Sequence, residues 1–235
     1  MEKDCSVKSS YAPCKQQNMR RTFLFFLFLL LAIRGLSQND HLEPIRNIRS
    51  YDEWTRQNME HNFAMLYAGM NASPYARYAA SPSFSKEYAF SAERTTNGYY
   101  LISNTFSENY WYAADKDSVK VICRKHTIDK QLFQLIGNLF NQATVQIKRV
   151  PMDLGLDGTT YYFATTDKHG NLRIGVKWSP LPNSLMDRLV KVCDNLYALA
   201  VGSELSLPEL KNEMKTLTTD LKKYGKKYKH KKNGK

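Results

Sequence analysis

The chain has 235 residues, 43% of them hydrophobic and 24% charged, with a formal net charge of +12 at pH 7. That balance excludes a wholly disordered polymer and fits one ordinary domain with appendages. The charge sits at the two ends: residues 1–37 carry +4, residues 211–235 carry +8, and residues 38–210 balance to zero. A basic, nucleic-acid-binding body is therefore excluded, and no specific nucleic-acid recognition is expected.

Residues 1–21 are polar and basic, and residues 23–33 (FLFFLFLLLAI) form an unbroken apolar run. The small residues Gly35 and Ser37 follow. This order predicts a secretory signal in a leader of residues 1–37, cleaved near Ser37/Gln38. The apolar run is shorter than the roughly 20 residues that a membrane span needs. Met19, directly before Arg20 and Arg21, is a natural start for such a signal, which leaves Met1 as an alternative start. Arg34 keeps an uncleaved membrane anchor open as the second reading. The predicted location is periplasmic or secreted.

Residues 38–205 read as one domain. Ser50-Tyr51-Asp52-Glu53 has the form of a capping box and predicts a helix over 51–69. Residues 74–82 read as a loop. Strands are predicted over 86–93 and 99–106, around the hairpin signal Asn97-Gly98. Further strands follow over 110–113 and 118–125. Thr127 is placed to cap a helix whose apolar residues include Leu132, Ile136, Leu139 and Phe140. Residues 144–150 read as another short strand. Asp157-Gly158 turns the chain into a hairpin, 159–166 and 172–178, reversed at Gly170. In its return strand Leu172, Ile174, Val176 and Trp178 alternate with Arg173, Gly175 and Lys177, which predicts a buried face and a wet one. Asn183 or Ser184 caps a helix with Leu185, Leu189, Val192, Cys193, Leu196 and Leu199 on one stripe, ended by Gly202. The fold class is α+β: an antiparallel sheet of about six strands, a meander plus a hairpin, with helices packed on one face.

Residues 206–224 form a separate amphipathic helix with the narrow apolar seam Leu207, Leu210, Met214, Leu217, Leu221 and Tyr224. Such a seam docks on the body, pairs with another chain or lies on a membrane. Residues 225–235 are lysine-rich and expected to be disordered.

No nucleophile elbow, P-loop, zinc-protease or C-x-x-C motif is present, so no metal, cofactor or catalytic set is expected. Asp153 and Asp157 are the one carboxylate pair suited to acid–base work, near Tyr161, and turn formation is the more ordinary explanation of them. Cys123 and Cys193 both sit at apolar positions and form a candidate disulfide in an oxidising compartment. Aromatic residues cluster on strands, and neighbours on a strand face opposite ways. Tyr99, Tyr100, Trp111 and Tyr162 are therefore the candidate binding surface. Lys222, Lys223, Lys226, Lys227, Lys229, Lys231 and Lys232 are candidate contacts to an anionic lipid or polyanion.

Asp157-Gly158-Thr-Thr-Tyr161-Tyr-Phe163, followed by Trp178-Ser179-Pro180 and a leucine-rich helix, resembles a pattern in small exported bacterial proteins of uncharacterised role. The similarity spans residues 154–199 and implies an exported α+β domain without assigning catalytic residues. The expected function is a non-enzymatic envelope or secreted protein: a binding, inhibitor, immunity-type or accessory protein with a protein or envelope component as partner. The alternatives are an envelope-acting hydrolase using the carboxylate pair and an anionic-surface tether acting through the tail.

Overall fold

The centre of the sheet is a strand built mainly of small residues. In the computed structural model, residues 40–45, 51–148 and 157–233 are described, with side chains as far as 226. They belong to the compact unit Asp40–Lys235. The leader, the cleavage position, Ser50 and Asp153 lie outside the described residues.

Seven strands make one sheet: β1 (Glu43–Pro44), β2 (Ala76–Pro82), β3 (Tyr88–Thr95), β4 (Gly98–Phe106), β5 (Val121–Ile128), β6 (Thr159–Thr166) and β7 (Leu172–Trp178). Their order is β1-β7-β6-β2-β3-β4-β5, and every neighbouring pair is antiparallel. β3, β4 and β5 keep the expected meander, which β2 extends at one end in place of the strand expected over 110–113, and β6–β7 is the expected hairpin. The fold is α+β, with seven strands rather than six.

β2 corrects the loop expected over 74–82. It pairs with β3 on one side and β6 on the other, and Ala76 through Ala80 are all buried. A central strand covered on both faces needs no polar alternation, and its alanines carry little strand propensity of their own. Burial between neighbours decides the conformation.

The strand expected over 110–113 is a turn. Asn109 Oδ1 accepts from the backbone N–H groups of Trp111 at 2.9 Å and Tyr112 at 3.2 Å, so a local side-chain acceptor replaces a strand partner. No strand forms over residues 144–148.

Four helices complete the described fold: α1 (Glu53–Leu66), α2 (Lys130–Thr144), α3 (Leu185–Ala200) and α4 (Leu207–Asn233). Asp52 caps α1 by accepting from Thr55 N. Asp129, not Thr127, caps α2, and Ser184 caps α3. Three helices, α2, α3 and α4, cover one face of the sheet. There Tyr78, Phe90, Phe140 and Phe163 pack ring against ring at centroid distances of 5.3 to 6.1 Å. The α4 seam is part of this core: Leu210, Met214, Leu217 and Leu221 are buried with α2 and α3. It docks on the body. α1 and the 107–119 segment lie on the other face, over Ala79, Ala89 and Phe106.

The lysine-rich end, expected to be disordered from Gly225, continues as helix to Asn233. Gln146, just after α2, donates from Nε2 to Leu221 O at 2.9 Å. A Cβ at Gly225 would stand 2.8 Å from Gln146 Oε1. A glycine that reads as a helix end therefore serves here as a close-approach point between α4 and α2.

β7 keeps its two-residue alternation, and Val176 is buried as expected, but the face read as wet is buried too. Lys177, read as wet, is sealed and pairs with Glu43 at 3.0 Å. Gly175 lies under the helix-covered core, where a Cβ would stand 2.8 Å from Leu42 Cβ. Leu172, read as buried, is 52% exposed. The apolar set of β7 faces the α1 side, and the mixed set faces the helices.

Candidate functional site

The apolar face of β7 opens onto a pocket. β6 and β7 form its floor through Tyr162, Ala164 and Ile174, and the half-exposed Leu172 joins Ile45, just after β1, at the rim. The end of α1 and the following loop supply the facing wall with Phe63, Tyr67, Ala72 and Pro74. The cavity measures about 310 Å³. That lies at the small end of sites that hold low-molecular-weight ligands, which run to roughly 300–1,000 Å³.

Local sequence explains the wall. α1 stops at Tyr67, whose N–H bonds back to Phe63 O, and Gly69 takes a φ of +75°. That positive φ suits glycine and lets the chain leave the helix. The turn stacks Tyr67 against Phe63 at 5.5 Å, and Phe63 meets Tyr162 edge-on at 4.9 Å. Burial pushes the Tyr162 phenol up to about 12 and also raises that of Tyr67. Both hydroxyls therefore stay protonated at neutral pH.

One charged side chain lines this cavity. Arg77 projects from β2, is 8% exposed, and sets its guanidinium 4.7 Å from the centre of the Tyr67 ring. Its Nη2 donates to Asn71 O, while Nε meets no acceptor. Glu93 acts on Arg77 through its charge, but its Oε1 already accepts from Asn71 N at 3.1 Å and from Ser91 Oγ at 2.5 Å. Burial lowers the Arg77 pKa from its usual value.

The candidate aromatic surface is dispersed. Tyr162 lies in the pocket. Tyr99 is on the helix-covered face, 4.7 Å from Phe133. Tyr100 is on the other face, under Lys125 Nζ at 3.7 Å, with its hydroxyl donating to Asn97 O at 3.1 Å. Three strand spacings, roughly 14 Å, separate the β4 position of Tyr100 from the β6 position of Tyr162. Trp111 packs edge-on to Tyr110 at 5.7 Å and near Trp54 at 6.5 Å. No single platform joins the four.

Cys123 and Cys193 are both free thiols. Cys123 is exposed on β5, opposite Asn104 and on the α1 side of the sheet. Cys193 is sealed beneath α3 on the other side. The sheet stands between them, which overturns the candidate disulfide. Asp157 is exposed before β6, and Tyr161 lies on the helix-covered face, 6.0 Å from Tyr78.

Among the tail lysines, Lys222 and Lys226 border a second cavity of about 300 Å³ with Lys148 and Gln146. Lys223 pairs with Asp220 at 3.7 Å. The side chains of Lys227, Lys229, Lys231 and Lys232 lie outside the described ones. One polar cluster without a sequence signal is Asp194, whose Oδ1 accepts from Tyr78 Oη at 2.7 Å and Tyr88 Oη at 2.8 Å. It borders neither cavity, and it satisfies two tyrosine hydroxyls beneath α3.

Of the pocket residues, Tyr162 is legible as a candidate, Leu172 and Ile174 as part of an apolar strand face, and Phe63 and Tyr67 as apolar positions of the helix predicted over 51–69. Arg77 is not legible as a site residue. Arg77 carried one weak signal, a lone charge inside a small-residue run. Among the described residues no helix is long and apolar enough to cross a membrane, and no group of three or more His, Cys, Asp or Glu is placed to hold a metal ion. No known protein family, curated protein or solved structure matches the chain.

Proposed function

We propose that this chain is a non-enzymatic exported binding protein, with its ligand site in the pocket between α1 and the β6–β7 hairpin. The observation that carries the reading is the apolar cavity of about 310 Å³ between α1 and the β6–β7 hairpin. Four elements with no shared sequence signal converge on it, and aromatic side chains form two of its walls. Export rests on the leader pattern of residues 1–37 and completes the proposal.

The test uses protein recovered from the envelope and medium of an expressing bacterium, whose intact mass also reports whether the chain begins near Gln38. N-phenyl-1-naphthylamine, a neutral apolar fluorophore, should bind the wild type with a saturable rise in emission. Ile174→Trp fills the cavity from its floor and should abolish that rise. Equal binding by the filled variant would place the site elsewhere, and an intact 23–33 segment in the recovered protein would replace export by anchoring.

A further inference from the structure

We infer that the pocket takes a small monocarboxylate with an apolar body, its carboxylate meeting the guanidinium of Arg77. This deepens the binding reading and rests on it. Arg77 is 8% exposed, and no carboxylate of the described residues forms an ion pair with it. A buried charge without a partner is costly, and natural proteins retain one where something else compensates it. Glu93 offsets part of that cost from a distance, with Oε1 committed to Asn71 and Ser91.

Donor accounting leads the same way. A guanidinium carries five N–H groups in a flat fork. The hydrogen bond of Arg77 is the one from Nη2 to Asn71 O. Nε is sealed without an acceptor, whereas Nη1 is not among the sealed polar atoms. Nη1 is therefore the end open to a ligand. The guanidinium lies over the Tyr67 ring at 4.7 Å and is tied to Asn71 O, so little is lost in ordering it when an acceptor arrives.

The rest of the pocket selects the ligand's body. Phe63, Ala164, Leu172 and Ile174 offer apolar contact, and the polar side-chain groups beside Arg77 are the neutral hydroxyls of Tyr67 and Tyr162. One cation matches one negative charge. A phosphate monoester would bring close to a second charge into this apolar setting and leave it uncompensated. The planar carboxylate also suits the planar fork. At about 310 Å³ the cavity accommodates a medium aliphatic chain or a compact aromatic body.

Isothermal titration of the full chain with octanoate, octanamide and octyl phosphate tests this directly. Octanoate should bind roughly tenfold or more tightly than octanamide, the difference expected for a charge-assisted hydrogen bond. Arg77→Met should erase that preference while leaving octanamide binding in place. Ile174→Trp, with Arg77 untouched, should remove both. Equal affinity of the wild type for octanoate and octanamide would overturn the carboxylate inference and leave the pocket reading standing. Tighter binding of octyl phosphate would overturn the monocarboxylate assignment. Binding of none of the three would overturn both readings. The wild-type comparison decides the matter even if Arg77→Met fails to fold.

Discussion

The two faces of the sheet are covered in different ways. On one, α2 and α3 each bury eight residues, and the α4 seam closes the layer above them. On the other, α1 fully buries only Asn62 and Leu66. The first face is a sealed core of interlocking rings. The second is a partial cover whose gap is the pocket. The difference shows where this fold invests its stability and where it leaves surface for another molecule. Apolar burial contributes about 25 cal/mol per Å² wherever it occurs, so the sealed face should dominate stability and the open one should tolerate change.

The strongest way to break that contrast is Phe140→Ala. Phe140 is sealed between Phe90 and Phe163 at 6.1 and 6.0 Å, and its loss should cost about 3–5 kcal/mol in urea denaturation. A loss below about 1 kcal/mol would show that the helix-covered layer is loosely packed.

A subtler test concerns Glu87, a sealed carboxyl on the α1 side. It accepts from Asn62 Nδ2 at 3.4 Å and Tyr110 N at 3.2 Å. Burial raises its pKa above the ordinary 4.5. A raised folded-state value means that the contribution is fully present below 4.5 and is lost as pH climbs through the folded value. Glu87→Gln removes that penalty. Between pH 4 and 8 the variant's melting temperature should gain steadily on the wild type's. Parallel curves would mean that Glu87 ionises without cost and that this side of the sheet is wetter than its geometry indicates.

The smallest effect should come from Leu172→Ser at the pocket rim. Leu172 is 52% exposed, so the expected change in urea stability is under about 0.5 kcal/mol. A larger loss would make the rim part of the core and erase the contrast between the faces.

The same two faces explain what was legible in the sequence. The alternation of β7 reported a strand correctly, because a period of two is a property of the backbone. It did not report which face was the core. Lys177 found Glu43 beneath the helices, and Gly175 made room for Leu42. Both are long-range events that no local pattern encodes. β2 was hidden for a related reason: its small residues are strand-forming only once β3 and β6 flank them. The α4 seam was plain, because six apolar residues at steps of three and four need no context. Its extension past Gly225 depended on Gln146 of another element. The pocket combined one legible aromatic, Tyr162, with Arg77, whose meaning comes only from the walls around it.

The placement of β2 also has a kinetic consequence. β2, β3 and β4 join by closing short loops, and such loops close early; β5 follows after the longer 107–120 segment. The β2–β6 pairing, Tyr78 with Phe163, closes only after β5, α2 and the segment beyond them have been made. Until then the most buried strand of the finished sheet presents one row of unpaired backbone groups. A ribosome-bound chain that has emerged only as far as α2 holds the meander with that edge open. The β6–β7 hairpin acts as a late-arriving clasp, and the interval before it closes is when the chain is most exposed to pairing with the wrong strand.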